Sequence, residues 1–223
     1  MRVEESLAIE DILQRERGRR NRGYASVLNL GCGDVSRLAR TKPWVHEHVF
    51  KPLADDGARV MHADAMPFPG VDVVCDLAAP DALEFVRGTA RPRLFVLANV
   101  LEHVPSDARS GMLRKIEASM DQGDSLLITA PYDYPYHPDP IDTLYRPDPA
   151  ELERLVDLNW VEEAIVDCGS FREEFARMSF PKKVRKLLKV LWVFQKPSSY
   201  LKGAHRLLFL FKPYRISIVL GNK

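Results

Sequence analysis

The sequence predicts an α/β protein with a mostly parallel, doubly wound sheet. Three observations carry that prediction. Ser26-Val-Leu-Asn-Leu-Gly-Cys-Gly-Asp34 is an apolar, β-favouring run that breaks into a glycine turn. Further short apolar runs follow near 59–63, 71–75, 94–98, 125–129, 161–167 and 214–220, with helical periodicity between several of them. Carboxylates stand at the ends of the second and third runs, Asp64 and Asp76. A length of 223 residues fits one domain with an appended region, and a hydrophobic content of 46% is ample for a core.

The elements follow in order. Leu7–Leu13 is an amphipathic stretch, and Arg15, Arg17, Arg19, Arg20 and Arg22 come after it. Glu4, Glu5, Glu10, Asp11 and Glu16 largely balance these, so a solvated helix end is expected. In the glycine turn, Gly31 and Gly33 can take positive φ and carry no Cβ to block an approaching ligand. It is not a dinucleotide fingerprint, because Ser36 occupies the third glycine position, and it is not a P-loop, because no Gly-Lys-Ser/Thr follows. Ala58–Asp64 reads as a second strand, and the long interval before it requires extra structure over 42–56. Gly70–Leu77 reads as a third strand. Leu94 to Ala98 or Asn99 reads as a fourth. Leu101, Val104, Ala108, Met112, Ile116 and Met120 then recur at helical spacing, with Gly123 as the stop. Ser125–Pro131 is a fifth strand. The loop Pro131–Arg146 follows, and Asp148, Pro149 and Glu151 form a capping box ahead of Leu152 and Leu155.

Val27–Gly33 resembles motif I of the class I S-adenosylmethionine-dependent methyltransferases, hydrophobic-Leu-Asp-x-Gly-x-Gly-x-Gly. Asn29 stands where that family usually has an acid, and Val35 stands at its third glycine. An amide at Asn29 is expected to hydrogen-bond the turn. Val100-Leu-Glu-His-Val104 resembles a signature of the type 11 subgroup. Ser125–Pro131 is similar to the family's fifth strand, with Gly123-Asp124 in place of a double glycine. The resemblance covers about Ala25 to Gly169 and returns at Tyr214–Lys223. It implies a Rossmann-like sheet of seven strands whose last strand is antiparallel, with a basic helical insertion before it. The implied organisation is a helical lid over 1–24, a cofactor-binding core over 25–171, the insertion or cap over 172–213 and a final strand over 214–223.

The resemblance further implies S-adenosylmethionine as cofactor, held by Asn29, Gly31, Cys32, Gly33, Asp64, Ala65, Asp76, Leu77 and Asn99. Gly31 and Gly33 would lie under the methionyl part. Asp64 would accept two hydrogen bonds from the ribose diol, and Asp76 with Leu77 would meet adenine. The acceptor is expected beside the Pro131–Arg146 loop, which follows a strand at the carboxyl edge of the sheet. Its Tyr132, Tyr134, Tyr136, Asp139, Asp142 and Arg146 are the candidate substrate residues. A hydroxyl or amine acceptor must lose a proton. His137 is the preferred base and His103 the other candidate, since neutral imidazole titrates near the working pH. His62 reads as a strand residue. His46-Glu47-His48 is not read as a metal site, because residues i and i+2 do not share a helix face.

Charge is unevenly spread. From Phe175 to Lys223 there are twelve Lys or Arg and no Asp or Glu, leaving 20 basic against 31 acidic residues before that point. Lys182–Phe194 reads as a basic amphipathic helix with Leu187, Leu188, Leu191 and Phe194 on one side. Two readings stay open, a cap over the core and a peripheral contact with an anionic membrane. The acceptor class expected is a small molecule or glycan-like hydroxyl, free or on an anionic or lipid-linked carrier. Alternatives are a cofactor-binding protein without methyl transfer and an RNA methyltransferase, although no aromatic-basic nucleic-acid module stands out. Cys32, Cys75 and Cys168 have no metal or disulfide spacing. With a polar start and no apolar run long enough to span a membrane, they suggest a reducing cytoplasm.

Overall fold

A computed structural model describes residues 1–136, 141–177, 179–181, 183–184, 209 and 212–223. The elements are α1 (Val3–Arg20), β1 (Ser26–Leu30), α2 (Val35–Thr41), α3 (Pro43–Val45), a π-helical turn (His46–Phe50), α4 (Lys51–Asp55), β2 (Arg59–Asp64) and β3 (Val73–Val74). Next come a 3-10 turn (Glu84–Gly88), β4 (Arg93–Ala98), a second 3-10 turn (Leu101–His103), α5 (Ser106–Ser119), β5 (Ser125–Asp133), α6 (Pro149–Glu153), β6 (Asn159–Ser170), α7 (Phe171–Arg177) and β7 (Pro213–Asn222).

The seven strands form one sheet in the order β3-β2-β1-β4-β5-β7-β6. Pairing is parallel from β3 to β5, and β7 runs antiparallel to both its neighbours. Central strands are apolar on both faces, as a sheet covered on both sides demands. Along β4, Leu94 and Val96 enter one core with Val27, Ile9 and Ile12. Phe95 and Leu97 enter the other with Leu28, Leu113 and Ile116. The doubly wound sheet with an antiparallel last strand is therefore as expected.

Several local expectations change. The third strand is two residues long rather than five, and it forms the sheet edge, with Val74 exposed. Gly70 turns the chain at φ 88° just before it. The helix after β4 starts at Ser106, not Leu101, because Pro105 keeps Val104 extended at ψ 131°. Leu101 is nevertheless fully buried from its 3-10 turn. The interval over 42–56 does hold added structure, α3, the π turn and α4.

The arginines of α1 stand at an exposed helix end, as expected, with Arg20 half-buried, and each also finds a partner across the fold. Arg15 Nη2 lies 2.8 Å from Glu162 Oε2 on β6, and Arg19 pairs with the same carboxylate. Arg17 pairs with Asp56, and Arg20 Nη1 donates to Ser125 Oγ at 2.6 Å. Single-sequence charge counting cannot foresee such partners, which lie across the fold. At the amino-terminal edge of the sheet, the fully buried Arg93 donates from Nε and Nη2 to Asp124 Oδ2 at 2.8 and 2.6 Å. The expected basic helix over Lys182–Phe194 lies almost wholly outside the described residues, Lys183 and Val184 excepted. Among the described residues, no helix is long and apolar enough to cross a membrane.

Candidate functional site

The carboxyl ends of β1, β2 and β4 converge where the chain order reverses, β1 leading to β2 on one side while β4 lies on the other. Open α/β sheets bind ligands at such a switch point. The glycine turn stands there. Gly31 has φ 71°, and a Cβ on it would meet Val100 Cγ2 at 2.6 Å, so both conformation and space require glycine. Gly33 has φ 65°, and a Cβ on it would meet nothing within 4 Å. The turn is therefore packed below Gly31 and open above Gly33.

Hydrogen bonds pin the turn to the end of β2. Gly31 N and Cys32 N donate to the Ala63 carbonyl at 2.8 and 3.2 Å. Gly33 N donates to Asp64 Oδ2 at 2.7 Å, and Met66 N to Asp64 Oδ1 at 3.0 Å. Asp64 thus stands half-buried beside Gly33, with Ala65 exposed next to it. Asp76 is exposed past β3, where Oδ1 accepts from Ala78 N at 2.9 Å, and Leu77 is half-buried. Asn29 does not bond the turn as expected. It is paired in register with His62 across β1 and β2, and Asn29 Nδ2 lies 3.0 Å from His62 Nδ1. Strand alternation points it to the sheet face rather than along the chain.

Beyond β4, Asn99 adopts φ 54°, a conformation that Asn tolerates better than most residues. Its Nδ2 donates to Glu5 Oε1 at 2.7 Å, which also accepts from Thr129 Oγ1 at 2.8 Å. The next turn carries Glu102 and His103. Glu102 is 1% exposed and its Oε2 has no hydrogen-bond partner among the described residues. Burial pushes its carboxyl up to about 7, against the pull of its backbone hydrogen bond and of Arg146. Glu102 Oε1 lies 3.9 Å from His103 Nε2, while His103 Nδ1 bonds the Ile141 carbonyl. The sequence reading passed over Glu102. Its signal was the rarity of a glutamate within an apolar run, which matters only once burial is known.

The loop after β5 folds back over this turn. Thr143 N and Oγ1 both donate to the Glu102 carbonyl at 2.9 Å, and Arg109 Nη2 donates to Thr143 Oγ1 at 2.6 Å. Asp142, buried, and Arg146, half-buried, are brought together, with Nη2 to Oδ2 at 2.6 Å and Nη1 to Oδ1 at 3.0 Å. Tyr134 stacks on Tyr214 at 5.0 Å and accepts at its hydroxyl from Arg2 Nε at 3.2 Å. Tyr132 lies under the Arg215 guanidinium at 5.0 Å, and Tyr136 is half-buried. His137 and Asp139 lie outside the described residues. His48 pairs with Glu10 at 2.8 Å. The three cysteines are free thiols, and burial raises all three, Cys32 and Cys168 to about 12, so none is a ready nucleophile.

No family model matches the chain, and no curated protein matches it in sequence. Solved structures do match. Coclaurine N-methyltransferase bound to N-methylheliamine and S-adenosylhomocysteine aligns with a TM-score of 0.57 at 17% identity, covering 98% of this chain and 70% of that one. A Thermobifida fusca protein described as a methyltransferase aligns at 0.52 with 17% identity, covering 98% and 82%. The plantazolicin methyltransferase BamL, in complex with a triazolic desmethylPZN analogue and S-adenosylhomocysteine, aligns at 0.51 with 9% identity, covering 99% and 85%. With its strand order, its antiparallel β7 and its glycine turn at the switch point, this chain has the fold of the class I S-adenosylmethionine-dependent methyltransferases.

Proposed function

We propose that this protein is an S-adenosylmethionine-dependent methyltransferase acting on a hydroxyl or amine of a small-molecule or glycan-like acceptor, free or on an anionic or lipid-linked carrier. The observation that supports it most is the turn itself: open space over Gly33, with the Asp64 carboxylate bonded to Gly33 N directly beside it. These residues fit the cofactor. Each Asp64 oxygen accepts one backbone N–H and keeps a second lone pair for a ribose hydroxyl. Gly31 and Gly33 would lie against the methionyl part, and Asp76 and Leu77 would meet adenine.

The cofactor supplies an electrophilic methyl group on a sulfonium. The chain's tasks are to orient the acceptor, exclude water and take a proton. His103 is suited to the last task, because the bond from its Nδ1–H to Ile141 O leaves Nε2 as the accepting nitrogen. The acceptor's proton passes to Nε2, and Glu102, whose Oε1 lies 3.9 Å from that nitrogen, stabilises the imidazolium. His137, on the loop that follows β5 in the chain, is the second candidate for this role. The segment 141–146 fixes His103 and would form one wall of the acceptor side.

Calorimetry with S-adenosylhomocysteine tests the cofactor. Wild type should bind, and Asp64→Ala should lose about 1–3 kcal/mol of affinity. Absence of binding by wild type, or equal binding by the variant, rejects the assignment. Methyl-labelled cofactor incubated with fractionated cell extract tests the acceptor. Label should enter small-molecule or lipid-linked pools, and label confined to RNA rejects this acceptor class.

A further inference from the structure

The residues proposed for adenine stand past the end of the sheet. β3 stops at Val74, and the next backbone bond back to β2 runs from Cys75 N to the Asp64 carbonyl at 2.9 Å. Beyond it the chain turns on itself. Ala78 N donates to Asp76 Oδ1 at 2.9 Å, and Ala79 N donates to the Asp76 carbonyl at 2.8 Å. Leu77 packs on the core that holds Leu28, Leu113 and Ile116. Apolar contact is non-directional, so it holds the turn down without fixing its orientation. Lys115 supplies a directional tie. From α5 its Nζ donates to the Ala78 carbonyl at 2.5 Å and to the Ala79 carbonyl at 3.0 Å. Its helix is anchored by Met112, Leu113 and Ile116, all buried in that same core. Hydrogen bonds from a charged donor are about twice as strong as neutral ones. Here two of them are aimed at the carbonyls of one short turn.

We propose that Lys115 is a positioning residue for the adenine end of the cofactor. It references the Asp76–Ala79 turn to α5, so that the Asp76 carboxylate is held where adenine's exocyclic amine can donate to it. Ala78 N occupies Asp76 Oδ1, which leaves Oδ2 for that amine. Lys115 acts through the turn and does not itself touch the base. This inference rests on the proposed function, because it takes the adenine to lie at Asp76 and Leu77.

Calorimetry compares S-adenosylhomocysteine with S-inosylhomocysteine, whose base carries a carbonyl oxygen in place of the amine. Wild type should favour the adenine ligand by about tenfold or more, the size of one hydrogen bond to a charged group. Lys115→Met keeps most of the stem and removes the donors; it should lose most of that preference, and Lys115→Arg should restore it. Asp76→Ala should lose the preference as well. The double variant should lose no more than Asp76→Ala alone, because the two residues act as one unit. An unchanged preference in Lys115→Met, even with both ligands weakened alike, makes the lysine purely structural and overturns the role, as do losses that add in the double variant. Hydrogen exchange on the free proteins reads the tie without a ligand. The amides of Ala78 and Ala79 should exchange faster in Lys115→Met, and unchanged rates overturn the tie. Wild type that binds neither ligand rejects the cofactor reading and this role with it. Wild type that binds both equally rejects the role alone.

Discussion

At Glu102 a carboxyl group sits where water does not reach, one residue before the His103 imidazole. Its pKa is raised to about 7 from an ordinary 4.5, with burial the main cause. In linkage terms the folded state holds this proton more tightly than the unfolded state. The neutral form's contribution to stability is therefore fully present below about pH 4.5 and is lost as pH rises towards 7. Glu102→Gln should flatten that dependence, removing on the order of 3 kcal/mol of pH-linked change between those limits. Urea midpoints measured at pH 5 and pH 8 check this. In the proposed reaction the ionised form assists His103, so wild-type turnover should rise through about pH 7 and the rise should be blunted in the variant.

The element that most shapes the site is α1. It buries Ile9 and Ile12 in the core and sends Glu5 to the ends of two strands. Glu5 is 1% exposed, its Oε1 shared by Asn99 Nδ2 and Thr129 Oγ1, its Oε2 accepting from Arg2 N at 3.0 Å. Glu5→Ala leaves three donors without their acceptor, the buried Thr129 hydroxyl among them, and frees the Asn99 side chain beside its left-handed backbone. A destabilisation of about 2–3 kcal/mol is expected, together with weaker S-adenosylhomocysteine binding. Chemical denaturation and calorimetry on the same preparation separate the two effects. Unchanged affinity with lowered stability would make α1 a purely structural cover and count against its proposed part as a lid.

For the molecule as a whole, the sheet has a binding edge and a holding edge. At the holding edge, Asp124 is fully buried, accepting from Arg93 N at 2.8 Å as well as from its guanidinium. Removing one partner of a buried pair leaves an uncompensated charge, so Asp124→Ala should cost about 3–5 kcal/mol. Because Asp124 precedes β5 and Asn99 follows β4, the damage lies a full strand length from the turn. Folded Asp124→Ala should bind S-adenosylhomocysteine with wild-type affinity. A loss of affinity matching the loss of stability would show that the two edges are coupled.

The strands, the glycine turn and the carboxylates at the strand ends are legible in the chain alone. Those features are local: an apolar run, a glycine that needs positive φ, and an acid following a strand are each written within a few consecutive residues. Val27–Gly33, Ala58–Asp64 and Leu94–Ala98 were legible for that reason. Which polar groups meet is settled by folding. Asn29 turned to His62 because pairing register sets cross-strand neighbours. The arginines of α1 found Glu162 and Asp56 because helix packing brings distant chain together. Asp142 and Arg146 took each other, and the significance of Glu102 rests on burial beneath 141–146. Each of these depends on solvent exclusion and on contacts between residues far apart in the chain, and no single stretch of sequence encodes either.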